Sequence, residues 1–117
     1  MRFNFDCVFY YVSDLDRAVR FYQDVLGLKV TSHDFVTRFE IGGVLFELVP
    51  TTDKAKLRGG GNARLSLAVD DISVAVAALK KKGVKATKVE DKQTGLLSFF
   101  TDPDGNEICL WQDKKAA

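Results

Sequence analysis

A chain of 117 residues can bury roughly two-thirds of its unfolded surface, so it needs neither disulfide nor metal staples to fold. Apolar content of 46%, charged content of 28% and a formal net charge of +1 fit an ordinary globule and give no reason to expect nucleic acid or a membrane surface as partner. Two cysteines, Cys7 and Cys109, make no secreted disulfide framework, and the opening stretch from Met1 to Asp6 lacks the basic-then-apolar pattern of a secretion signal; a cytoplasmic, reducing setting is the expectation.

Residues 3 to 12 are rich in Phe, Tyr and Val and read as a strand. Ser13 is placed to cap the helix that follows, with Asp16 three residues on in capping-box position. Leu15, Ala18, Val19, Tyr22 and Leu26 recur at helical spacing, and Gly27 ends the helix as a left-handed cap. Residues 28 to 33, 35 to 41 and 44 to 49 read as three strands, with Gly42 and Gly43 turning between the last two. Residues 51 to 62 form a linker: they carry charges, Thr pairs and Gly59, Gly60 and Gly61, which lack the Lys-Ser/Thr ending of a phosphate loop.

The pattern then restarts. A strand (64 to 69) leads into a helix (71 to 82) whose apolar face is Ile72, Ala75, Val76 and Leu79, and strands follow at 84 to 89, 96 to 101 and 106 to 112. Lys80, Lys81 and Lys82 sit in the last helical turn, where cations complement the helix dipole. Asp102-Pro103-Asp104-Gly105 has the composition of a type I turn and joins the last two strands as a hairpin. Phe99 and Phe100, being adjacent, face opposite sides, one to the core and one to the cleft. His33, the one histidine, lies at a strand end among polar neighbours and reads as exposed; it leaves no basis for a His-based metal site or catalytic triad.

The order is therefore βαβββ, twice: an α+β fold of two modules, 1 to 50 and 63 to 117, in a single domain around a pseudo-symmetric cleft. A helix covers only one face of its strands, so the other face of each sheet must meet the other module, a partner subunit or a ligand.

The runs Val12-Ser13-Asp14-Leu15-Asp16-Arg17-Ala18 and Phe21-Tyr22-Gln23-Asp24-Val25-Leu26-Gly27, with Asp102-Pro103-Asp104-Gly105-Asn106, resemble the vicinal oxygen chelate superfamily of glyoxalase I, bleomycin and fosfomycin resistance proteins and extradiol dioxygenases, over nearly the whole chain. The resemblance implies a cleft whose metal ligands stand one per strand on four strands. Those positions hold Cys7, Glu47, Arg64 and Cys109 here, and only Glu47 keeps the residue type of the metal-dependent members. Arginine stays protonated and cannot ligate a metal. No cofactor is expected, and zinc is the metal that a Cys-Glu-Cys set suits best. The resemblance also implies a homodimer, in which Cys7 and Glu47 face Arg64 and Cys109 of a second copy.

Strand alternation extends the cleft list. Phe9 and Tyr11 follow Cys7; Leu45 and Val49 flank Glu47; Ser66 and Ala68 follow Arg64; Glu107 and Trp111 flank Cys109. Aromatic rings with a few oriented polar groups suit a small organic molecule. Phe9, Tyr11, Arg64, Ser66 and Trp111 are the expected ligand-binding residues. Arg64 and Glu47 either bridge to each other, or Arg64 holds a ligand carboxylate while Glu47 stands as the candidate catalytic base. Cys7 and Cys109 read as small buried hydrophobes, with a reactive thiol or a redox-dependent bridge as the other reading. The expected function is binding of a planar or anionic organic compound in a metal-free cleft. The alternatives are a lyase, isomerase or dioxygenase built around Glu47, and a structural or regulatory module whose cleft is filled by its own side chains.

Overall fold

The computed structural model describes residues 1, 2, 4–57 and 63–114, and the chain divides into two compact units, Met1–Arg58 and Gly59–Ala117. Gly59, Gly60 and Gly61, expected to be linker, lie outside the described residues. Among the described residues no helix is long and apolar enough to cross a membrane.

The first unit runs β1 (Val8–Val12), α1 (Leu15–Arg20), β2 (Val30–His33), β3 (Thr37–Ile41) and β4 (Val44–Pro50). Its sheet has the order β1-β4-β3-β2, with β1 parallel to β4 and the other pairs antiparallel. Only a crossover connection can place two strands parallel, and α1 supplies it. The helix is capped by Asp14 rather than Ser13: the Asp14 carboxylate accepts the Arg17 amide at 3.1 Å, while the Ser13 hydroxyl is taken by the Arg17 guanidinium at 3.0 Å. Beyond Arg20 the helix widens into a π turn over Phe21–Val25, closed by the Leu26 amide on the Phe21 carbonyl. That turn brings both Phe21 and Tyr22 into the core. Periodicity of 3.6 had selected Tyr22 but not Phe21.

One face of this sheet is packed solid. Val12, Ala18, Tyr22, Phe39, Phe46 and Leu48 are buried there, and the rings of Tyr22, Phe39 and Phe46 lie 5.1 to 6.1 Å apart. Burying each such ring contributes roughly 2–3 kcal/mol, which ties helix to sheet. Gly42 and Gly43, at φ 57° and 83°, form the two-residue hairpin turn whose positive φ at both positions only glycine or Asn/Asp adopts readily. The turn sets the register, pairing Ile41 with Val44 and Arg38 with Glu47.

The second unit repeats this with β5 (Leu65–Ala68), α2 (Ile72–Lys81), β6 (Glu90–Asp91), β7 (Gly95–Thr101) and β8 (Glu107–Asp113), in the order β5-β8-β7-β6. Asp71 caps α2 by accepting the Ser73 and Val74 amides, and the Ile72 amide finds Gln112 of β8 at 2.8 Å. Ile72, Leu79, Phe100, Ile108 and Leu110 form the core. The expected strand over 84 to 89 does not form, and the ladder with β7 begins only at Glu90. Thr87 is the cause. Its hydroxyl accepts the Phe99 amide at 2.9 Å, where a ladder would offer a carbonyl, and its own carbonyl is claimed by the Ser98 hydroxyl at 2.7 Å.

The last hairpin closes on a buried carboxylate. Asp102 accepts the amides of Asp104 and Asn106 and the Asn106 side-chain amide, at 2.8 to 2.9 Å, and Gly105 at φ 82° completes the turn.

Candidate functional site

Each sheet has a face packed against its helix, and alternation puts the expected residues of β1, β4 and β5 on the less buried positions of their strands, while Cys109 on β8 is buried. In the first unit Cys7, Phe9 and Tyr11 alternate with Val8, Tyr10 and Val12, of which Val12 is fully buried and Tyr10 packs on the core ring of Phe46. The ladder sets Phe9 beside Glu47 and Tyr11 beside Val49. Phe9 and Tyr11 meet edge to face at 5.3 Å, with Phe9 45% exposed, and the Lys56 ammonium stands 5.1 Å from the Tyr11 ring centre.

Glu47 is held from two sides. Arg38 Nε donates to Glu47 Oε1 at 2.9 Å, and the Cys7 thiol donates to Glu47 Oε2 at 3.5 Å. The guanidinium is itself held by Ser32 Oγ at 3.1 Å and Asp34 Oδ2 at 3.4 Å. The bond to Glu47 is the main reason the guanidinium holds its proton more firmly than usual. Asp34 titrates below the ordinary Asp range, chiefly because it accepts the Val36 amide. Desolvation first, then the Glu47 carboxylate, pushes the Cys7 thiol from 9.0 up to about 11. This thiol is a donor to Glu47 at neutral pH and not a nucleophile.

Arg38 escaped the sequence reading, although the signal was present. Two residues in the Gly42-Gly43 turn place Arg38 opposite Glu47 once β3 and β4 are recognised as a hairpin.

In the second unit the parallel ladder sets Ser66 beside Cys109 and Ala68 beside Trp111. Arg64 pairs with Glu107, Nη2 to Oε2 at 2.5 Å, so Glu47 and Arg64 each have an ionic partner within their own unit. Ser66 is exposed and Cys109 buried. Phe99 lies opposite Cys109 and is half-buried, while Phe100 is core. Trp111 donates its indole N–H to Asp113 and lies across Gly95, where any side chain would strike the ring. His33 is exposed and bonded to Thr37 Oγ1 at 2.6 Å.

The four positions suggested by the family pattern do not make a fitting metal set. Thiolate, carboxylate and neutral imidazole are the groups that bind zinc. Here Glu47 is already bound to Arg38, Arg64 is a fixed cation paired with Glu107, and Cys109 is a buried thiol directed at the Leu110 carbonyl at 3.7 Å, which leaves Cys7 without partners of the right kind. Among the described residues no group of three or more His, Cys, Asp or Glu side chains gathers to hold an ion.

Two four-stranded mixed sheets, each with one helix-covered and one open face, define a paired-module α+β fold of the glyoxalase and bleomycin-resistance type. The model of the Glyoxalase/Bleomycin resistance protein/Dioxygenase superfamily matches residues 4–110, and the chain belongs to that superfamily. It is 32% identical to a Synechocystis protein described as a probable lactoylglutathione lyase, over 86% of this chain and 88% of the relative. It is 27% identical to the lactoylglutathione lyase of Haemophilus influenzae, over 88% and 87%. Among solved structures, TnmS3, an antibiotic binding protein from a Streptomyces species, superposes with a TM-score of 0.81 at 25% identity, over 97% of this chain and 98% of that one.

Proposed function

We propose that this protein binds a small planar organic compound on its open sheet faces and acts by sequestration without a metal. The observation that carries this reading is the state of the four family ligand positions. The two that are charged are already tied to a counter-charge, Glu47 to Arg38 and Arg64 to Glu107, beside solvent-reachable rings of Phe9, Tyr11 and Trp111. Rings supply apolar contact area, and a half-exposed Arg–Glu pair offers a donor and an acceptor that a ligand's polar edge can share. A ligand carboxylate would compete with Glu107 for Arg64, and Ser66 lies on the same strand face to add a hydroxyl. The likeness to an antibiotic binding protein supports binding as the activity. The two free thiols suit a reducing, cytoplasmic setting, and a homodimer is the proposed assembly.

The relatives described as lactoylglutathione lyases favour a second reading, a metal-dependent lyase using Glu47. Metal content separates the two. The expected result is less than a tenth of an equivalent of zinc, nickel, manganese or iron per chain by mass spectrometry, even after soaking. Near-stoichiometric metal, lost on Glu47→Gln, would overturn the binding reading. A screen of planar aromatic acids read by Trp111 fluorescence then follows, with light scattering to test the dimer.

A further inference from the structure

The second unit carries a groove of about 580 Å³ on its helix side, where α2 runs past the unladdered segment: Val76 and Lys80 form one wall, and residues 83 to 89 the other. We propose that this groove binds a small amphipathic monoanion, an organic carboxylate with an apolar body. Its size is that of a small-molecule site, roughly 300–1,000 Å³. Val76, Val84, Ala86 and Val89 are half-buried and line it, while Lys80, Lys85 and Lys88 are exposed along it. No acidic side chain lines the groove, and among the described residues no ion pair engages these three lysines. Apolar walls bordered by uncompensated cations are complementary to an anion with an apolar tail.

The dipole of α2 accounts for Lys80 in its last turn but not for Lys85 and Lys88, which lie beyond the helix. Nor does the negative end of the helix face an anion bare. The Leu79 carbonyl accepts the Lys82 and Val84 amides, and the Lys80 carbonyl accepts the Gly83 amide. Gly83 (φ 82°) turns the chain after α2, and Thr87 ties the following segment to β7 through its amide, carbonyl and hydroxyl, so that 84 to 89 forms a wall of the groove and not a strand.

The first unit supplies an internal control. Its corresponding groove, about 370 Å³, is lined by Asp16, Val19, Arg20, Gln23, Val30 and His33. There Gln23 holds the helix position that Lys80 holds in α2, and Asp16 and Arg20 oppose one another in charge. The uniform positive charge is therefore chemistry added to the second copy, not a consequence of the fold.

The test is titration of the ¹⁵N-labelled full chain with laurate and with 2-naphthoate, below any micelle threshold, read by amide shifts and calorimetry. Dodecyltrimethylammonium carries a comparable tail with the opposite charge and serves as control. The expected result is saturable binding of at least one carboxylate, shifts centred on Val76, Lys80 and residues 83 to 89, and affinity lowered at least tenfold in the triple variant Lys80→Gln/Lys85→Gln/Lys88→Gln. All three lysines are exposed, so that variant retains the core. Preference for laurate would identify a chain-like tail, and preference for 2-naphthoate a flat one. The proposal is overturned if neither carboxylate saturates, if the shifts fall elsewhere, if the cation binds as well, or if the triple variant binds unchanged. None of these outcomes bears on Trp111 or Arg64, so the open-face reading stands or falls separately.

Discussion

Gly95→Ala is the substitution whose effect is best determined by geometry. Gly95 sits at the start of β7, opposite Asp113, and Trp111 lies across it. A Cβ there would fall 2.3 Å from Trp111 Cζ2, 2.6 Å from Trp111 Cε2 and 2.6 Å from the Gln112 carbonyl oxygen. Comfortable carbon contacts lie at about 3.5–4.0 Å, so the ring must move by more than an ångström. Ring rotation alone is insufficient, because the Gln112 oxygen is backbone and its strand must move too. At an unstrained strand position alanine would gain about 0.5–1 kcal/mol over glycine. Overpacking costs about 1–3 kcal/mol, so the net expectation is a loss of about 1–2 kcal/mol, or roughly 5 °C in Tm. Urea unfolding followed by circular dichroism measures the loss. The emission of Trp111, the one tryptophan, should shift with the displaced ring. In a Trp111→Ala background the cost of Gly95→Ala should fall by at least half, because the ring contacts are gone. A Gly95→Ala protein as stable as the parent with an unchanged emission spectrum would refute the reasoning.

Three further outcomes are expected. Asp102→Ala should cost about 3 kcal/mol in urea unfolding, since it strands three donors around a buried carboxylate; Asp102→Asn, which keeps an acceptor, should cost less. In a Cys109→Ala background, alkylation of Cys7 by iodoacetamide should be slow at pH 8 and rise with a midpoint near 11, and Glu47→Gln should lower that midpoint. The sign follows from linkage: burial and Glu47 favour the protonated thiol, so its contribution to stability is complete below pH 9 and is lost as pH rises through about 11. A midpoint near 9 would show that Glu47 and desolvation do not act on it. Arg38→Met and Glu47→Gln in a double-mutant cycle should give a coupling of roughly 1 kcal/mol that shrinks in 1 M salt, because the Arg38 side chain is 33% exposed; zero coupling would mean the pair is an incidental surface contact.

Much of the fold was legible because local rules carry it. Helix periodicity, glycines at 27, 42, 43, 83 and 105, and the Asp-Pro-Asp-Gly turn each act through neighbouring residues, and a repeated local pattern yields a repeated sheet order. Alternation on β1, β4, β5 and β8 placed the open-face side chains for the same reason. Which residue capped α1 was not legible, because Ser13 and Asp14 are both competent caps and the Arg17 guanidinium claims the serine. The π turn that buries Phe21 alongside Tyr22 has no one-residue signature.

What the sequence alone determined was the order of strand, helix and hairpin in each module, with the strand expected at 84 to 89 replaced by a short one at Glu90–Asp91. Tertiary structure decided the partners. Glu47 is bound by Arg38 because a two-residue turn sets β3 against β4 in one register, and Arg64 by Glu107 because β5 lies parallel to β8. The groove beside α2 was decided in the same way. Residues 84 to 89 have strand composition, yet at Thr87 the amide bonds the Phe99 carbonyl while the Phe99 amide is taken by the threonine hydroxyl in place of a backbone carbonyl, and the ladder with β7 begins only at Glu90. Composition sets what each segment can form, while pairing across the fold sets which of the competing hydrogen bonds is made.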